Sequence, residues 1–261
     1  MISITSFCNR ENKESTLKFV KYIPIFVLSV AVSGCVKEGG YGEVLSAGIS
    51  VIKAATLQES DVKKTAQLSA VQLDKKSRIA PSNSQYAKRL MRITRGLSNV
   101  DGLKLNYKVY LDKNINAFAM PDGTVRVYSG LLDAMPDEQV LAVIGHEIGH
   151  VKLKHSYNQM KKQMLTNAAF QAANVTTGAV GQLSSSTLGA IAYQAINAKF
   201  SQQDELQADS YALGFLSARA KDPLAMLDVI YTFQKRSSGG GSFLSSHPTN
   251  QERIDAIKKA L

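Results

Sequence analysis

The chain has 261 residues, of which 31 are Lys or Arg and 21 are Asp or Glu, so its formal net charge is +10 at pH 7. This length is enough for one hydrophobic core and too short for an additional repeat domain. The positive charge would suit a nucleic-acid partner, but the chain has no tryptophan and no helix-turn-helix signature, so we expect no nucleic-acid binding.

The N-terminal segment, residues 1–34, has the features of a bacterial lipoprotein signal peptide. Four basic residues precede an apolar stretch at 23–32 that is too short to span a bilayer. Residues 32–35 (Val-Ser-Gly-Cys) resemble a lipobox, in which cleavage leaves Cys35 as the lipidated first residue. An uncleaved anchor or a chance apolar segment is the alternative. Because Val36 rather than aspartate follows the cysteine, we expect a periplasm-facing lipoprotein of the Gram-negative outer membrane.

The two cysteines are consistent with this assignment. Cys8 would be removed with the signal peptide and Cys35 would carry lipid, so no thiol would remain for a disulfide or a thiolate metal site. Residues 35–56 contain four glycines and predict a flexible, lipid-anchored tether. Residues 57–261 are then expected to form one domain.

The first half of this domain is predicted to contain two helices and a small sheet. Helical periodicity appears at 57–73 and 84–97, and alternation at 103–111 and 124–129 predicts two strands. In the second helix, Lys88, Arg92 and Arg95 are expected to share a face. A solvated basic face is the simplest interpretation, and attraction to anionic lipid headgroups is the alternative.

Residues 136–151 predict a buried helix that carries a metal-binding motif. Pro136 and two following acids mark its start, and apolar residues surround the motif. His146 and His150 lie one helical turn apart on one face, so both rings can bind one metal ion, and Glu147 is placed to take a proton from an activated water. Unpaired polar groups in a buried helix cost several kcal/mol. Zinc binding is therefore the simplest interpretation, with two solvent-facing histidines as the alternative.

A catalytic zinc site needs a third protein ligand and an open fourth position. His155 lies five residues past His150, about 140° around a continuous helix, so we expect it at the surface. Glu205 is the better candidate. Asp209, one turn later, is placed to accept the second ring N–H of a ligating histidine. A solvated acidic helix face is the alternative.

Five ordered motifs within residues 80–261 resemble the HtpX and CAAX prenyl protease family of gluzincin-type zinc metalloendopeptidases. They lie at residues 116–121, 130–132, 146–150, 205–209 and 246–254. The resemblance implies an α+β, mainly helical fold. It also implies a zincin-like metalloprotease domain with a small β-sheet beside the active-site helix.

The resemblance also implies a role for each site residue. His146, His150 and Glu205 would bind one Zn²⁺ per chain, Glu147 would act as general base and acid, and Asp209 would support a ligating histidine. His247 would stabilise the oxyanion of the tetrahedral intermediate. A polar residue beside a proline turn is the alternative for His247.

One more segment is a candidate for substrate binding. In zinc peptidases a strand beside the metal can hydrogen-bond an extended polypeptide. We expect Asn116, Ala117, Phe118 and Ala119 to form that edge, and a plain hairpin loop is the alternative.

The integral-membrane relatives carry membrane-spanning hairpins between the zinc motifs, whereas residues 160–200 here contain no run near the ~20 apolar residues that a span needs. We expect two helices joined around 181–186, as in the soluble, lipid-anchored bacterial branch. The resemblance suggests hydrolysis of misfolded cell-envelope proteins. A zinc-stabilised envelope chaperone, or a lipoprotein that assists assembly with envelope partners, is the alternative.

Overall fold

The computed structural model describes residues 58–174, 184–236 and 242–261. The predicted signal peptide, Cys35 and the tether lie outside the described residues, as do residues 181–183 of the connection predicted around 181–186. The helices are α1 (Glu59–Lys76), α2 (Gln85–Ile93), α3 (Ser129–Ala134), α4 (Asp137–Lys152), α5 (His155–Asn174), α6 (Ser185–Asn197), α7 (Gln202–Ser217), α8 (Leu224–Arg236), α9 (Ser242–Ser246) and α10 (Gln251–Ala260). The strands are β1 (Asn99–Val100), β2 (Leu103–Lys104), β3 (Asn106–Tyr110), β4 (Ala117–Ala119) and β5 (Thr124–Tyr128).

A three-stranded sheet lies beside the helices and has the order β3-β5-β4. β3 runs parallel to β5, and β4 runs antiparallel to it. A tight turn joins β4 to β5, and it needs Gly123, whose φ is 89° and whose added Cβ would lie 1.9 Å from the carbonyl oxygen of Lys104. The mainly helical α+β fold with a small sheet is therefore confirmed.

The core is centred on α4, which is buried from Val140 to Val151. It packs against α7, α8 and β4. A smaller apolar cluster joins α1, α5 and α6 to the sheet and includes Val62, Phe118 and Met160. Because both clusters adjoin α4 or β4, the motif helix lies in the interior of the domain.

The helix that carries the motif ends before His155, close to the predicted end at residue 151. α4 stops at Lys152, and the chain turns through Lys154, whose φ is 66°, before α5 begins at His155. The turn brings the His155 side chain back against His150, and the residue is only 5% exposed. The expectation that His155 lies at the surface is wrong, because the 140° offset applies only to a continuous helix.

The helix predicted at 84–97 is shorter than the sequence pattern indicates. It ends at Ile93, after which the Thr94 hydroxyl donates to the carbonyl oxygen of Leu90. Arg95 lies beyond the helix, and Arg92 pairs with Asp137 at 2.7 Å, so the three basic residues do not form one helical face. Across the described residues, no helix is both long and apolar enough to cross a membrane.

Candidate metal centre

The motif on α4 places its two imidazoles against each other in the core. Asp137 and Glu138 stabilise the first turn of α4, as the sequence predicts. His146 and His150 are both fully buried, and their Nε2 atoms lie 3.0 Å apart. Two ring nitrogens this close repel each other unless a cation or a proton lies between them.

Glu205 reaches the same point from α7. Ser201 and Asp204 form a capping box that starts this helix, and Glu205 lies in its first turn. Its Oε2 lies 3.5 Å from His146 Nε2, and its Oε1 lies 3.4 Å from His150 Nε2. The structure therefore brings the three predicted zinc ligands together, although Glu205 follows the two histidines by more than 50 residues in the chain.

Asp209 and Arg253 support this group from behind. Asp209 Oδ1 lies 2.9 Å from His146 Nδ1, which is the predicted contact. Arg253 on α10 donates two hydrogen bonds of 2.7 Å to Asp209, and its Nη1 lies 2.7 Å from Glu205 Oε2. The acceptor at Nδ1 favours the tautomer of His146 that leaves Nε2 free for a metal.

Arg253 is the residue whose role sequence reasoning missed, since it was noted only as part of a motif. The signal was present: Arg253, Ile254 and Ile257 share the buried face of α10, and a charge on an apolar face needs a partner.

His247 lies at the same centre, directly after α9. Its Nδ1 is 3.0 Å from Glu205 Oε1 and 3.3 Å from His146 Nε2, and its Nε2 is 3.3 Å from Glu147 Oε1. His146, His150, Glu205 and His247 each offer a ligand atom, and these atoms all lie within 4.8 Å of one another. His247 is thus within reach of a metal, and its predicted role in stabilising an oxyanion stays a prediction.

Glu147 connects the motif helix to the edge strand. Its Oε2 accepts a 3.1 Å hydrogen bond from the amide of Ala119, while its Oε1 faces His247. Burial raises the pKa of Glu147, which makes the carboxylate a stronger base.

β4 is an edge strand beside the motif, as predicted for residues 116–119. Tyr128 donates to the Asn116 carbonyl and Met120 donates to the Thr124 carbonyl, so the amides of Ala117 and Ala119 point away from β5. The Asn116 side chain accepts from Ala117, and Glu147 accepts from Ala119. All four predicted substrate-binding residues are buried here, so their role stays a prediction.

The charges of the centre fit a divalent cation. The centre contains three buried carboxylates, Glu147, Glu205 and Asp209, and one buried guanidinium, that of Arg253, which contacts Asp209 and Glu205. Burial raises the pKa of Glu205, but the surrounding histidines lower it by more. Burial likewise lowers the pKa of His146, yet hydrogen bonding to Asp209 and Glu205 raises it to about 9. Excess negative charge with converging nitrogen and oxygen donors is the set that zinc prefers.

Comparison with known proteins gives consistent results. Residues 84–261 match Peptidase family M48. The chain is 40% identical to the metalloprotease LoiP of Escherichia coli K12 over 238 residues, which cover 90% of this chain and 94% of the relative. It is 38% identical to the metalloprotease YcaL of the same strain over 247 residues, covering 93% of this chain and 97% of the relative.

A more distant relative is the beta-barrel assembly-enhancing protease of Escherichia coli O157:H7, which is 30% identical over 195 residues. These cover 69% of this chain and 39% of the relative. The residues that match the family include the whole metal centre, from His146 to Arg253. The two metalloproteases align with almost the whole chain. The protein therefore belongs to Peptidase family M48 and is a zinc metalloendopeptidase.

Proposed function

We propose that this zinc metalloendopeptidase is anchored in the Gram-negative cell envelope through a lipidated Cys35 and hydrolyses peptide bonds of misfolded envelope proteins. One observation supports the proposed peptide-bond hydrolysis: the side chains of His146, His150 and Glu205 meet in the buried core, and Glu147 lies directly beside them. The lipobox-like residues 32–35 support the anchor. The name of one relative, the beta-barrel assembly-enhancing protease, supports a substrate in the envelope.

Each residue of the site has a separate role in hydrolysis. His146, His150 and Glu205 would hold the zinc ion, which would act there as a Lewis acid that polarises a carbonyl and acidifies water. Glu147 Oε1 takes the proton of the attacking water and returns it to the leaving amine. His247 Nε2, 3.3 Å from this oxygen, borders the same space and donates a hydrogen bond to the developing oxyanion.

The site is closed, and this constrains how a substrate binds. Phe200 stacks on the His150 ring with centroids 3.8 Å apart, and it borders a small cavity together with Phe118, Met160 and Ile196. An extended polypeptide can reach the amide of Ala119 only when this cover moves. We infer that substrate entry displaces Phe200 and the end of α6 from β4.

Replacing Glu147 tests the catalytic part. Glu147→Gln removes the base but keeps the size of the side chain, so the purified variant should keep its zinc and lose at least ~100-fold of its activity on an unfolded protein. His150→Ala is the control, because it should lose both zinc and activity. Unchanged proteolysis by Glu147→Gln would contradict the mechanism, whereas absence of cleavage by the unmodified, zinc-loaded protein would favour the non-proteolytic chaperone.

Replacing Cys35 tests the anchor. Cys35→Ser should move the protein from the membrane fraction to the soluble fraction of the envelope, while the zinc content and activity of the purified domain stay the same. A variant that stays with the membrane would contradict lipid anchoring through this residue.

A further inference from the structure

His155 is a buried histidine that the proposed mechanism does not use. Its Nδ1 lies 3.1 Å from Nδ1 of His150, on the side of that ring away from His146. Its Nε2 lies 3.0 Å from Gln207 Oε1 and 3.4 Å from Asp204 Oδ1, both on α7. Gln207, His155 and His150 therefore form a chain of contacts that leads from the exposed side chain of Gln207 to the buried centre.

The partners of His155 fix the direction of these hydrogen bonds. A carboxylate oxygen and an amide oxygen both accept, so Nε2 of His155 carries the proton. In a neutral imidazole the other nitrogen then accepts. His155 Nδ1 therefore accepts from His150 Nδ1–H, and the lone pair of His150 lies on Nε2, which faces Glu205 and His146.

The reverse direction would disable the centre. If His155 instead donated to Nδ1 of His150, that nitrogen would be the acceptor of the ring. The single ring proton of neutral His150 would then lie on Nε2. An imidazole that binds a metal through one nitrogen is neutral and carries only one ring proton. That proton cannot be on Nε2 if this nitrogen is to bind a metal.

We propose that His155 is a positioning residue that accepts the Nδ1–H of His150 and thereby directs the Nε2 lone pair of His150 to zinc. Gln207 and Asp204 hold His155 in the accepting tautomer. His155 would then support His150 as Asp209 supports His146. The inference rests on the proposed role of His150 as a zinc ligand.

A pair of variants tests this role through zinc affinity, measured by competition with a chromophoric chelator. His155→Phe keeps an aromatic ring at this position and removes the acceptor, so we expect zinc to bind ~10–100-fold more weakly. His155→Asn places an amide oxygen close to the position of Nδ1 and should keep most of the affinity. The unfolding midpoint of the zinc-free proteins is measured in parallel, because a purely structural role would change that midpoint and leave zinc affinity unchanged.

The outcomes are distinct. Affinity of His155→Phe within about twofold of the unmodified protein, or equal weakening in the Phe and Asn variants, would overturn the proposal. If His155→Phe does not fold, His155→Leu decides, because this smaller side chain also removes the acceptor: weaker zinc binding supports the proposal, and unchanged binding overturns it. His150→Ala is the reference. If it retains zinc, the proposed ligand set has failed; if it loses zinc while His155→Phe does not, only the role of His155 has failed.

Discussion

Arg253 compensates the negative charge of the centre with one side chain. Its guanidinium is almost completely buried and contacts both Asp209 and Glu205. Burial lowers the pKa of this arginine, but the two carboxylates raise it by more, so it stays charged. A buried ion pair is expensive to form, and removing one partner costs more still because the other charge stays behind.

Arg253→Met should therefore destabilise the protein strongly. It keeps much of the volume and leaves two carboxylates without their guanidinium, so we expect the free energy of unfolding of the zinc-free protein to fall by ~3–5 kcal/mol, measured by urea denaturation. Arg92→Met is the matched control, since Arg92 is 63% exposed and its surface pair with Asp137 should contribute at most ~1 kcal/mol. Equal losses in the two variants would show that Arg253 is not a buried structural charge.

What the sequence could predict at this scale depended on local spacing. His146, His150, Glu205 and Asp209 were predicted because each pair lies one turn apart on one helix, and one helical turn is a local property. His155 and Arg253 could not be placed in the same way. The position of His155 depends on the turn at Lys154, and that of Arg253 depends on how α10 packs on α7.

Two helices must approach closely for the metal centre to form. α4 carries the histidines and α7 carries Glu205, and two glycines of α4 make room for side chains of α7. A Cβ added at Gly145 would lie 2.7 Å from Cδ1 of Phe215, and one added at Gly149 would lie 3.1 Å from Cδ1 of Tyr211. The glycines of the motif helix thus set the distance over which Glu205 reaches the two rings.

Gly145→Ala should push the two helices apart. Alanine favours the helix by up to ~1 kcal/mol, but overpacking a filled core costs typically ~1–3 kcal/mol, so we expect a net loss of stability and weaker zinc binding. Gly214→Ala provides the control, because a Cβ there meets nothing within 4 Å and the position on α7 is exposed. Thermal unfolding should show a lower midpoint for Gly145→Ala and a slightly higher one for Gly214→Ala. A rise in both would contradict the close-approach argument.

The sheet shows a second limit of sequence reasoning at the element scale. Alternating side chains predicted strands at 103–111 and 124–129, and both regions contain strands. The pattern could not show that β3 and β5 pair in parallel, because strand direction is set by the long connection between them and not by alternation. That connection contains β4, and its hairpin with β5 places Ala119 against Glu147.

Across the whole molecule, the centre joins segments that are far apart in the chain. The ligand candidates come from α4, from α7 and from the residue after α9, and α10 supplies Arg253. Without a cation, the ring nitrogens of His146 and His150 face each other at 3.0 Å, and the three nearby carboxylates outnumber the one positive charge of Arg253. A ligand that binds only the folded state stabilises it in proportion to the logarithm of its free concentration over its dissociation constant.

Zinc should therefore be a major contribution to global stability. At a free zinc concentration of about 1,000 times the dissociation constant, zinc binding adds ~4 kcal/mol to the free energy of unfolding. A chelator should remove this contribution and lower the thermal midpoint. His150→Ala separates metal binding from other effects of the chelator. In this variant the midpoint should be low with or without added zinc, because the site has lost a ligand. If the unmodified protein unfolds at the same temperature with zinc and with chelator, then the cluster does not hold the four segments together through a metal, and the carboxylates must be balanced by protons on the histidines instead.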